Sequence, residues 1–144
     1  MSDHYRKLEN MYLKANVNTM IFDTTTCKIS DERAEIGLTI TDKYYHALGA
    51  IHGSVYFKLL DDAAFFAVSS IVKDVFVLTT SFNINLIRQV KEGILKAEGL
   101  VKFKSKTLYV AESTLYNQDG KVVAFGTGNF ARSKISFSDK IGYG

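Results

Sequence analysis

Proline is absent from this chain of 144 residues, and cysteine occurs only once, at Cys27. Without proline, the turns of the chain must rest on glycine, asparagine and aspartate. A single cysteine excludes a disulfide bond within the chain and is typical of a protein from a reducing compartment. We therefore interpret Cys27 as a small hydrophobic residue and not as a nucleophile.

The chain also lacks a strong charge of either sign, since 18 lysines and arginines face 15 aspartates and glutamates. The resulting net charge of +3 does not indicate nucleic-acid binding. Residues 1–18 lack the apolar segment of a secretory signal peptide, so we expect a cytoplasmic protein. The length fits a single domain, and a hydrophobic content of 47% is ordinary for a globular protein.

The longest apolar segment runs from His52 to Val72 and predicts a central helix, buried on most sides because hydrophobic residues surround its axis. Lys58, Asp61 and Asp62 interrupt this segment. In a bilayer each of these would cost roughly 2.5–3.5 kcal/mol, which argues against a membrane span. A carboxylate inside such a helix is costly unless it is paired or used in chemistry, so both aspartates are candidate functional residues.

Several segments alternate between polar and apolar residues with the period of two that is typical of half-buried β-strands. The predicted strands lie at residues 34–41, 78–86, 94–104, 107–116 and 121–131. Short turns separate the last four strands, which must therefore be antiparallel neighbours. We predict an α+β fold, with an antiparallel sheet curled around the central helix.

The remaining parts of the chain flank this core. A short amphipathic helix is predicted at about residues 3–16, the core at about 34–132, and a loosely held tail at 133–144. Residues 42–51 show no period and lead into the central helix, so they form a loop and a candidate wall of a site.

The central helix begins with His52, Gly53 and Ser54. Amide groups at a helix N-terminus lack acceptors and carry partial positive charge, so that of Gly53 could polarise a carbonyl group or hold an oxyanion. Glycine also lets a ligand approach the backbone closely. The alternative is that His52 and Gly53 form only a cap and a turn.

Asp61 lies nine positions after His52, which is half a turn out of phase and about 13 Å further along the helix. The two residues therefore cannot contact one small substrate within a single chain. If they cooperate, Asp61 of one subunit must face His52 and Gly53 of another, as a two-fold dimer allows. The alternative is that Asp61 is a buried structural carboxylate.

Two other kinds of site find no support in the sequence. There is no HExxH motif, and the three histidines show no metal-ligand spacing with Cys27 or a carboxylate: His4, His46 and His52. Ser54 does not lie in a GxSxG nucleophile elbow. We therefore expect neither a metal site nor a serine triad.

Several short motifs follow one another in a characteristic order. A His-Gly pair opens a long apolar helix with an aspartate nine residues after the histidine, and TTSFNINLIRQV, a strand that follows a glycine, DGK and VVAFGTGNF come after it. Together they resemble the hotdog-fold acyl-CoA thioesterases of the phenylacetate-pathway (PaaI) type, over roughly residues 34–132. This resemblance implies a hotdog sheet around the helix, a dimer or a tetramer of dimers, and hydrolysis of a coenzyme A thioester.

The resemblance also implies roles for single residues. Asp61 matches the family's catalytic carboxylate, which activates water or attacks directly, and Thr79 matches a residue that helps to hold the water. Gly53 matches the amide that polarises the thioester carbonyl, with His52 beside it. The family often has asparagine six residues before the His-Gly pair; His46 stands there in this chain, and we expect it to donate a hydrogen bond to the same carbonyl.

Coenzyme A would be part of the substrate, so no separate cofactor is implied. Its nucleotide part is contacted in the family by a segment that matches Lys104, Ser105 and Lys106. We add Arg132 to this basic set, for which the alternative is a solvated charged face.

Two other functions remain open at this point. A non-catalytic acyl-CoA-binding hotdog module is favoured if His46 abolishes carbonyl polarisation. A hotdog dehydratase resembles the chain less, because its usual histidine precedes a Pro-Gly loop, which a chain without proline cannot have.

Overall fold

The computed structural model describes residues 2–144, in which a six-stranded antiparallel sheet packs around one long helix. The elements are α1 (Ser2–Lys14), a π-helical turn (Val17–Ile21), β1 (Thr25–Ser30), β2 (Arg33–Thr39), α2 (Gly53–Ser69), β3 (Val75–Leu86), β4 (Ile94–Lys104), β5 (Tyr109–Tyr116) and β6 (Val122–Ser136). Single 3₁₀ turns lie at Asp42–Tyr44 and Asp139–Ile141. The strand order is β1-β2-β4-β5-β6-β3, which confirms the predicted antiparallel sheet and leaves β1 and β3 at its edges.

Helix α2 is the predicted central helix, three residues shorter at its C-terminal end than the apolar segment. It begins after His52, whose Nδ1 accepts a hydrogen bond of 3.1 Å from the Ser54 amide as an N-cap. It ends at Ser69, where the hydroxyl groups of Ser69 and Ser70 donate to carbonyl oxygens of the preceding turn. Most of its length is buried, because apolar residues occupy nearly every side.

Gly99 on β4 allows α2 to lie directly on the sheet. A Cβ atom at this position would be 2.1 Å from the carbonyl oxygen of Ala63 on the helix, so only glycine fits without displacing α2. The helix is fixed on the neighbouring strand as well, where the hydroxyl of Ser113 donates a 2.8 Å hydrogen bond to the carbonyl of Leu60. Both contacts flank Asp61 in sequence and hold this part of the helix in place.

Strand β1 is absent from the sequence prediction. It pairs with β2 in the register Cys27 to Ile36, and helix α1 packs beside it, with the Glu9 carboxylate accepting a 2.8 Å hydrogen bond from the Ile29 amide. Burial raises the pKa of the Cys27 thiol, which therefore stays protonated and unreactive. This is the behaviour expected of a small hydrophobic residue.

The prediction of a loosely held tail at residues 133–144 needs correction. Strand β6 continues to Ser136, where it still pairs with Val75 of β3. Beyond it the chain folds back onto α1: Tyr143 stacks on Phe137, and its hydroxyl lies 2.6 Å from Nδ1 of the buried His4. The contact between His4 and Tyr143 joins residues 139 positions apart, which the local sequence pattern does not show.

Among the helices of residues 2–144, none is long and apolar enough to cross a membrane.

Candidate active site

Asp61 lies on α2 with its carboxylate turned toward strand β3. The hydroxyl of Thr79 on that strand donates a 2.9 Å hydrogen bond to Oδ1 of Asp61. Both side chains are half-buried. The fold thus brings together the two residues that the resemblance assigns to the carboxylate and to the water-holding hydroxyl.

The carboxyl group of Asp61 is more basic than an ordinary aspartate. Burial, reinforced by the neighbouring charge of Asp62, raises the pKa of Asp61 to about 6, although the Thr79 hydrogen bond and Lys58 act in the opposite direction. At neutral pH the group is therefore largely ionised, and it can accept a proton more readily than an exposed aspartate. These are the properties of a general base.

Asp62 has different surroundings. Its Oδ2 accepts hydrogen bonds from Nζ of Lys58 at 2.5 Å and from the hydroxyl of Tyr12 at 2.8 Å. The Lys58 ammonium also lies 4.9 Å from the centre of the Tyr12 ring, a cation–π distance. Asp62 therefore fixes α1 to α2 and is fully engaged within the chain.

His46 and Gly53 lie in a second pocket, of about 340 Å³, between the loop before α2 and the end of β3. Nδ1 of His46 accepts a 3.1 Å hydrogen bond from the Leu48 amide, which leaves the ring proton on Nε2 and makes that nitrogen a donor. Gly53 supplies the first amide of α2, which has no acceptor within the helix. The pocket thus combines two hydrogen-bond donors with an apolar wall that includes Leu86.

His52 points elsewhere. Its ring is exposed and is engaged in capping α2, with Nδ1 2.8 Å from the hydroxyl oxygen of Ser54. In this structure its role is to shape the start of the helix beside Gly53.

The two groups of residues stay apart within one chain. Asp61 and Thr79 line a pocket of about 240 Å³ that shares no residue with the pocket of His46 and Gly53. Helix geometry requires this, because Gly53 and Asp61 are eight residues, or about 12 Å, apart along α2. If both groups act on one substrate, a single chain therefore contains two incomplete sites.

The basic set lies at the surface and is largely paired with carboxylates of the same chain. Lys104 pairs with Glu32 at 2.6 Å, and Arg132 pairs with Asp74. The Ser105 hydroxyl oxygen accepts a 3.0 Å hydrogen bond from the Leu108 amide and closes the turn between β4 and β5. Lys106 is an exposed residue of the same turn. A phosphate group that bound these cations would have to displace the carboxylates. Exposed ion pairs contribute little to protein stability, so this displacement would cost little.

Sequence reasoning missed the contribution of the N-terminal elements. The pocket of Asp61 is also lined by residues of α1 and of the π-helical turn: Met11, Tyr12, Ala15, Val17 and Asn18. Their helical spacing predicted that α1 packs on the core, but spacing alone does not reveal which residue it faces. Within the described part of the chain, no cluster of three or more His, Cys, Asp or Glu side chains could hold a metal ion.

A long helix enclosed by an antiparallel sheet, with a carboxylate on the helix and a His-Gly pair at its start, defines a hotdog-fold protein. Residues 48–124 match the family model described as the thioesterase superfamily. This match covers more than half of the chain, and the protein belongs to that superfamily.

Individual relatives agree with this assignment. The E. coli PaaI protein of the phenylacetic acid degradation operon superimposes with a TM-score of 0.84 and 19% identity, over 95% of this chain and 98% of that one. Conserved protein PA5202 of Pseudomonas aeruginosa gives a TM-score of 0.77 and 25% identity, over 85% and 97% of the two chains. The Saccharolobus solfataricus protein named "Putative esterase SSO2140" is 23% identical over 137 residues, which cover 94% of this chain and 98% of that protein. The hotdog prediction is confirmed, and the relatives support a thioesterase role.

Proposed function

We propose that the protein hydrolyses the thioester bond of an acyl-coenzyme A, with Asp61 as the residue that acts on water or on the thioester itself. The observation that carries this proposal is the half-buried Asp61 carboxylate, with its pKa raised to about 6, held by Thr79 at the edge of a largely apolar pocket. Such a pocket suits an acyl group, and such a carboxylate suits proton transfer at neutral pH.

In the water route, the oxygen of a water molecule attacks the thioester carbonyl carbon, and the Asp61 carboxylate takes a proton from that water molecule. The amide of Gly53 and Nε2–H of His46 donate to the carbonyl oxygen, whose negative charge they stabilise as it develops. The carbon–sulfur bond then breaks, the thiolate of coenzyme A leaves with a proton, and a carboxylic acid remains. Thr79 keeps the Asp61 carboxylate aimed at the water.

The direct route begins with attack of an Asp61 oxygen on the same carbon. The carbon–sulfur bond breaks, coenzyme A leaves as a thiolate, and a mixed anhydride remains, which water then hydrolyses to the carboxylic acid and free Asp61. The two routes differ in the covalent intermediate, and they differ in the fate of oxygen only when water attacks the Asp61 carbon of the anhydride, which places ¹⁸O in the enzyme. Single turnover in H₂¹⁸O with enzyme in excess places ¹⁸O only in the product in the water route. Hydrolysis of an anhydride at the acyl carbon does the same, but the covalent intermediate then appears in the mass spectrum of the quenched enzyme.

The separation of the two incomplete sites supports a homodimer with shared sites. Gly53, Phe57 and Asp61 are spaced four residues apart along one stripe of α2. If two copies of α2 lie antiparallel across a two-fold axis at Phe57, Gly53 of one subunit faces Asp61 of the other, twice. Phe57 is 40% exposed and packs edge-to-face on Phe82 of the edge strand β3, so an apolar surface is available there.

The basic set would then contact the phosphates of coenzyme A. Lys104, Ser105 and Lys106 belong to one turn, and Lys104 continues a row of paired residues across the sheet that ends at Thr79. Arg132 is the further member on β6. We also propose that the protein is cytoplasmic, that it needs no cofactor, and that two dimers pair into a tetramer.

The test is release of free thiol from acyl-CoA substrates of graded chain length, straight and aromatic, by wild-type protein. We expect turnover of at least one substrate, and its loss in Asp61→Asn. Absence of turnover with every substrate, together with measurable acyl-CoA binding by calorimetry, would instead favour the non-catalytic acyl-CoA-binding module. The observation that supports this alternative is His46, which stands where the related thioesterases often have an asparagine.

A further inference from the structure

Lys58 is a largely buried lysine that lines the pocket of Asp61, with 12% of its side chain exposed. Its ammonium group lies 4.9 Å from the centre of the Tyr12 ring and 5.2 Å from that of Phe22. The same group donates a 2.5 Å hydrogen bond to Oδ2 of Asp62. Lysine is almost never buried unless its charge is paired, and here one carboxylate and two aromatic rings surround it. The fold therefore confines this cation to one place.

Asp62 is confined to a similar degree, with 17% of its side chain exposed. Burial raises the pKa of its carboxyl group, whereas the Lys58 ammonium and the Tyr12 hydroxyl, which donates a 2.8 Å hydrogen bond, favour the ionised form. Without the cation, a buried carboxyl group beside another carboxylate would take up a proton. Lys58 thus allows Asp62 to be ionised within the fold.

The charge of Asp62 acts on the adjacent carboxyl group of Asp61. The two residues follow each other on α2 and line one pocket, where burial limits the screening of their repulsion by water. Lys58 lies three residues before Asp61, on the neighbouring turn, so its positive charge acts on the same group in the opposite direction. The rise in the pKa of Asp61 caused by Asp62 is larger than the decrease caused by Lys58. Although the ion pair has no net charge, it therefore makes Asp61 more basic.

Two further ionisable groups near the pair stay neutral. Burial raises the pKa of the Tyr12 hydroxyl on α1 and that of the Cys27 thiol on β1. Strand β3 contributes Thr79, which does not titrate, and the π-helical turn contributes neutral residues to the pocket. In the proposed dimer, His46 of the second subunit also approaches Asp61, so a test must follow the Asp61 carboxyl group itself.

We propose that Lys58 and Asp62 are positioning residues for the reaction: Lys58 holds the Asp62 carboxylate in its ionised form, and the charge of Asp62 makes the adjacent Asp61 a stronger base. The inference rests on the proposed function, in which Asp61 acts on water or on the thioester. It gives the ion pair a part in the reaction beyond joining α1 to α2. A general base works best when its pKa lies near the working pH, and the pair moves the pKa of Asp61 in this direction.

The experiment measures the pH midpoint of kcat/KM in Asp62→Asn and in the double variant Lys58→Met/Asp62→Asn. Asp62→Asn removes the negative charge and leaves the cation, so the midpoint should fall by about one pH unit from the wild-type value of about 6. Removal of Lys58 as well should recover part of this shift. The plateau of kcat/KM at high pH should fall by less than about tenfold in Asp62→Asn, because a base weaker by one pH unit slows proton transfer by no more than that factor.

The same variants are titrated by NMR with ¹³C-labelled aspartate, and the Asp61 carboxyl signal is identified by its loss in Asp61→Asn. This signal separates the titration of Asp61 from that of His46 and needs no turnover. Asp23→Asn is the matched control, because Asp23 forms an exposed 2.5 Å ion pair with Lys43 that lies outside the pocket. The control should leave the Asp61 midpoint unchanged.

A purely structural role of Asp62 would lower the melting temperature of Asp62→Asn and leave the Asp61 midpoint unchanged, which would overturn the proposal. If Asp62→Asn does not fold, the double variant replaces it, because it leaves no unpaired buried charge. A midpoint of the double variant at or above the wild-type value would then overturn the proposal.

The wild-type protein provides a measurement that depends on no variant of the pair. An Asp61 midpoint at or below its ordinary value of 3.8 would overturn the proposal in any case. If wild-type protein hydrolyses nothing but the NMR midpoints shift as expected, the electrostatic role of Lys58 and Asp62 is supported although the proposed thioesterase function has failed.

Discussion

At the scale of single residues, two adjacent aspartates have been given different partners by the fold. Asp61 contacts one hydroxyl group and keeps a raised pKa, whereas Asp62 is held by Lys58 and Tyr12. Both aspartates line the same pocket, but adjacent helix positions point about 100° apart, and the carboxylate of Asp62 is bound there by Lys58 and Tyr12. Asp61 is therefore the candidate for chemistry, whereas Asp62 joins α1 to α2.

Replacement of either aspartate by asparagine should separate these roles. Asp61→Asn keeps the shape and removes the base, so we expect kcat to fall by ~10²–10⁴ with acyl-CoA binding retained. Asp62→Asn should lower the melting temperature more than the turnover, because Lys58 loses its partner. Steady-state kinetics and thermal denaturation of both variants provide the measurement. Full activity of Asp61→Asn on the best substrate would contradict the mechanism.

The pKa of Asp61 sets a pH dependence for both activity and stability. We expect kcat/KM to fall as the pH drops through about 6, the point at which the base becomes protonated. The hydrogen bond from Thr79 favours the ionised form of Asp61 and lowers its pKa. Thr79→Val removes this bond and should therefore move the midpoint to higher pH. A pH profile with an unchanged midpoint in Thr79→Val would argue that another group titrates.

The effect on stability has the opposite direction to that on activity. Because the folded state raises the pKa above its ordinary value of 3.8, the stabilising contribution of Asp61 is complete below pH 3.8 and is lost as the pH rises through about 6. Asp61→Asn should consequently melt at a higher temperature than wild type at pH 7.5, with a smaller difference at pH 4.5.

His46 tests the oxyanion side of the site. Asparagine can also donate a hydrogen bond, so His46→Asn should retain or raise kcat/KM, whereas His46→Ala should lower it. A drop beyond ~100-fold in His46→Asn, equivalent to roughly 2.7 kcal/mol, would show that the imidazole has a role of its own. His46→Asn is the conservative substitution, because the side chains of histidine and asparagine both present a planar N–H donor.

At the scale of elements, α2 and β3 together form the surface on which the proposed shared site depends. Phe57 and Phe82 pack edge-to-face at 5.5 Å, midway between the two incomplete sites. Leu86, an exposed apolar residue, continues this surface along the edge strand. An unpaired edge strand with an apolar face is a surface that proteins usually cover.

Phe57→Glu should therefore disrupt the dimer and the activity together, because two carboxylates would meet at the two-fold axis. Light scattering at micromolar concentration and thiol release would measure both effects. Phe57→Leu is the control and should keep both properties. Hydrolysis by a monomer, in wild type or in Phe57→Glu, would rule out the shared site.

The elements also show why local patterns predicted only part of the fold. The sequence predicted five strands, because each buries one face and so alternates regularly. It also predicted the central helix, because an apolar segment without a polar stripe is buried on most sides. Strand β1 was missed because its burial follows no clean alternation, with helix α1 packed beside it. The extension of β6 was missed because Arg132 and Lys134 interrupt the apolar pattern while the backbone pairing continues.

At the scale of the whole molecule, two of the cations proposed for the coenzyme A phosphates, Lys104 and Arg132, are paired with carboxylates of the same chain. Lys104→Ala and Lys106→Ala should raise KM more than they lower kcat, with a larger effect at low salt, because exposed charges are screened by ions. Glu32→Gln is the opposite test: it releases Lys104 from its ion pair and should lower KM. A wild-type KM that does not depend on salt would count against phosphate binding at this surface.

The sequence by itself determined the antiparallel sheet, the buried central helix and the half-turn offset between His52 and Asp61. Each of these follows from residue spacing and side-chain type, which act over a few residues. Only the tertiary structure decided that Tyr12 holds Asp62 and that Thr79 holds Asp61. These partners lie on different elements, and their contacts depend on how α1, α2 and β3 pack together, which local spacing does not specify.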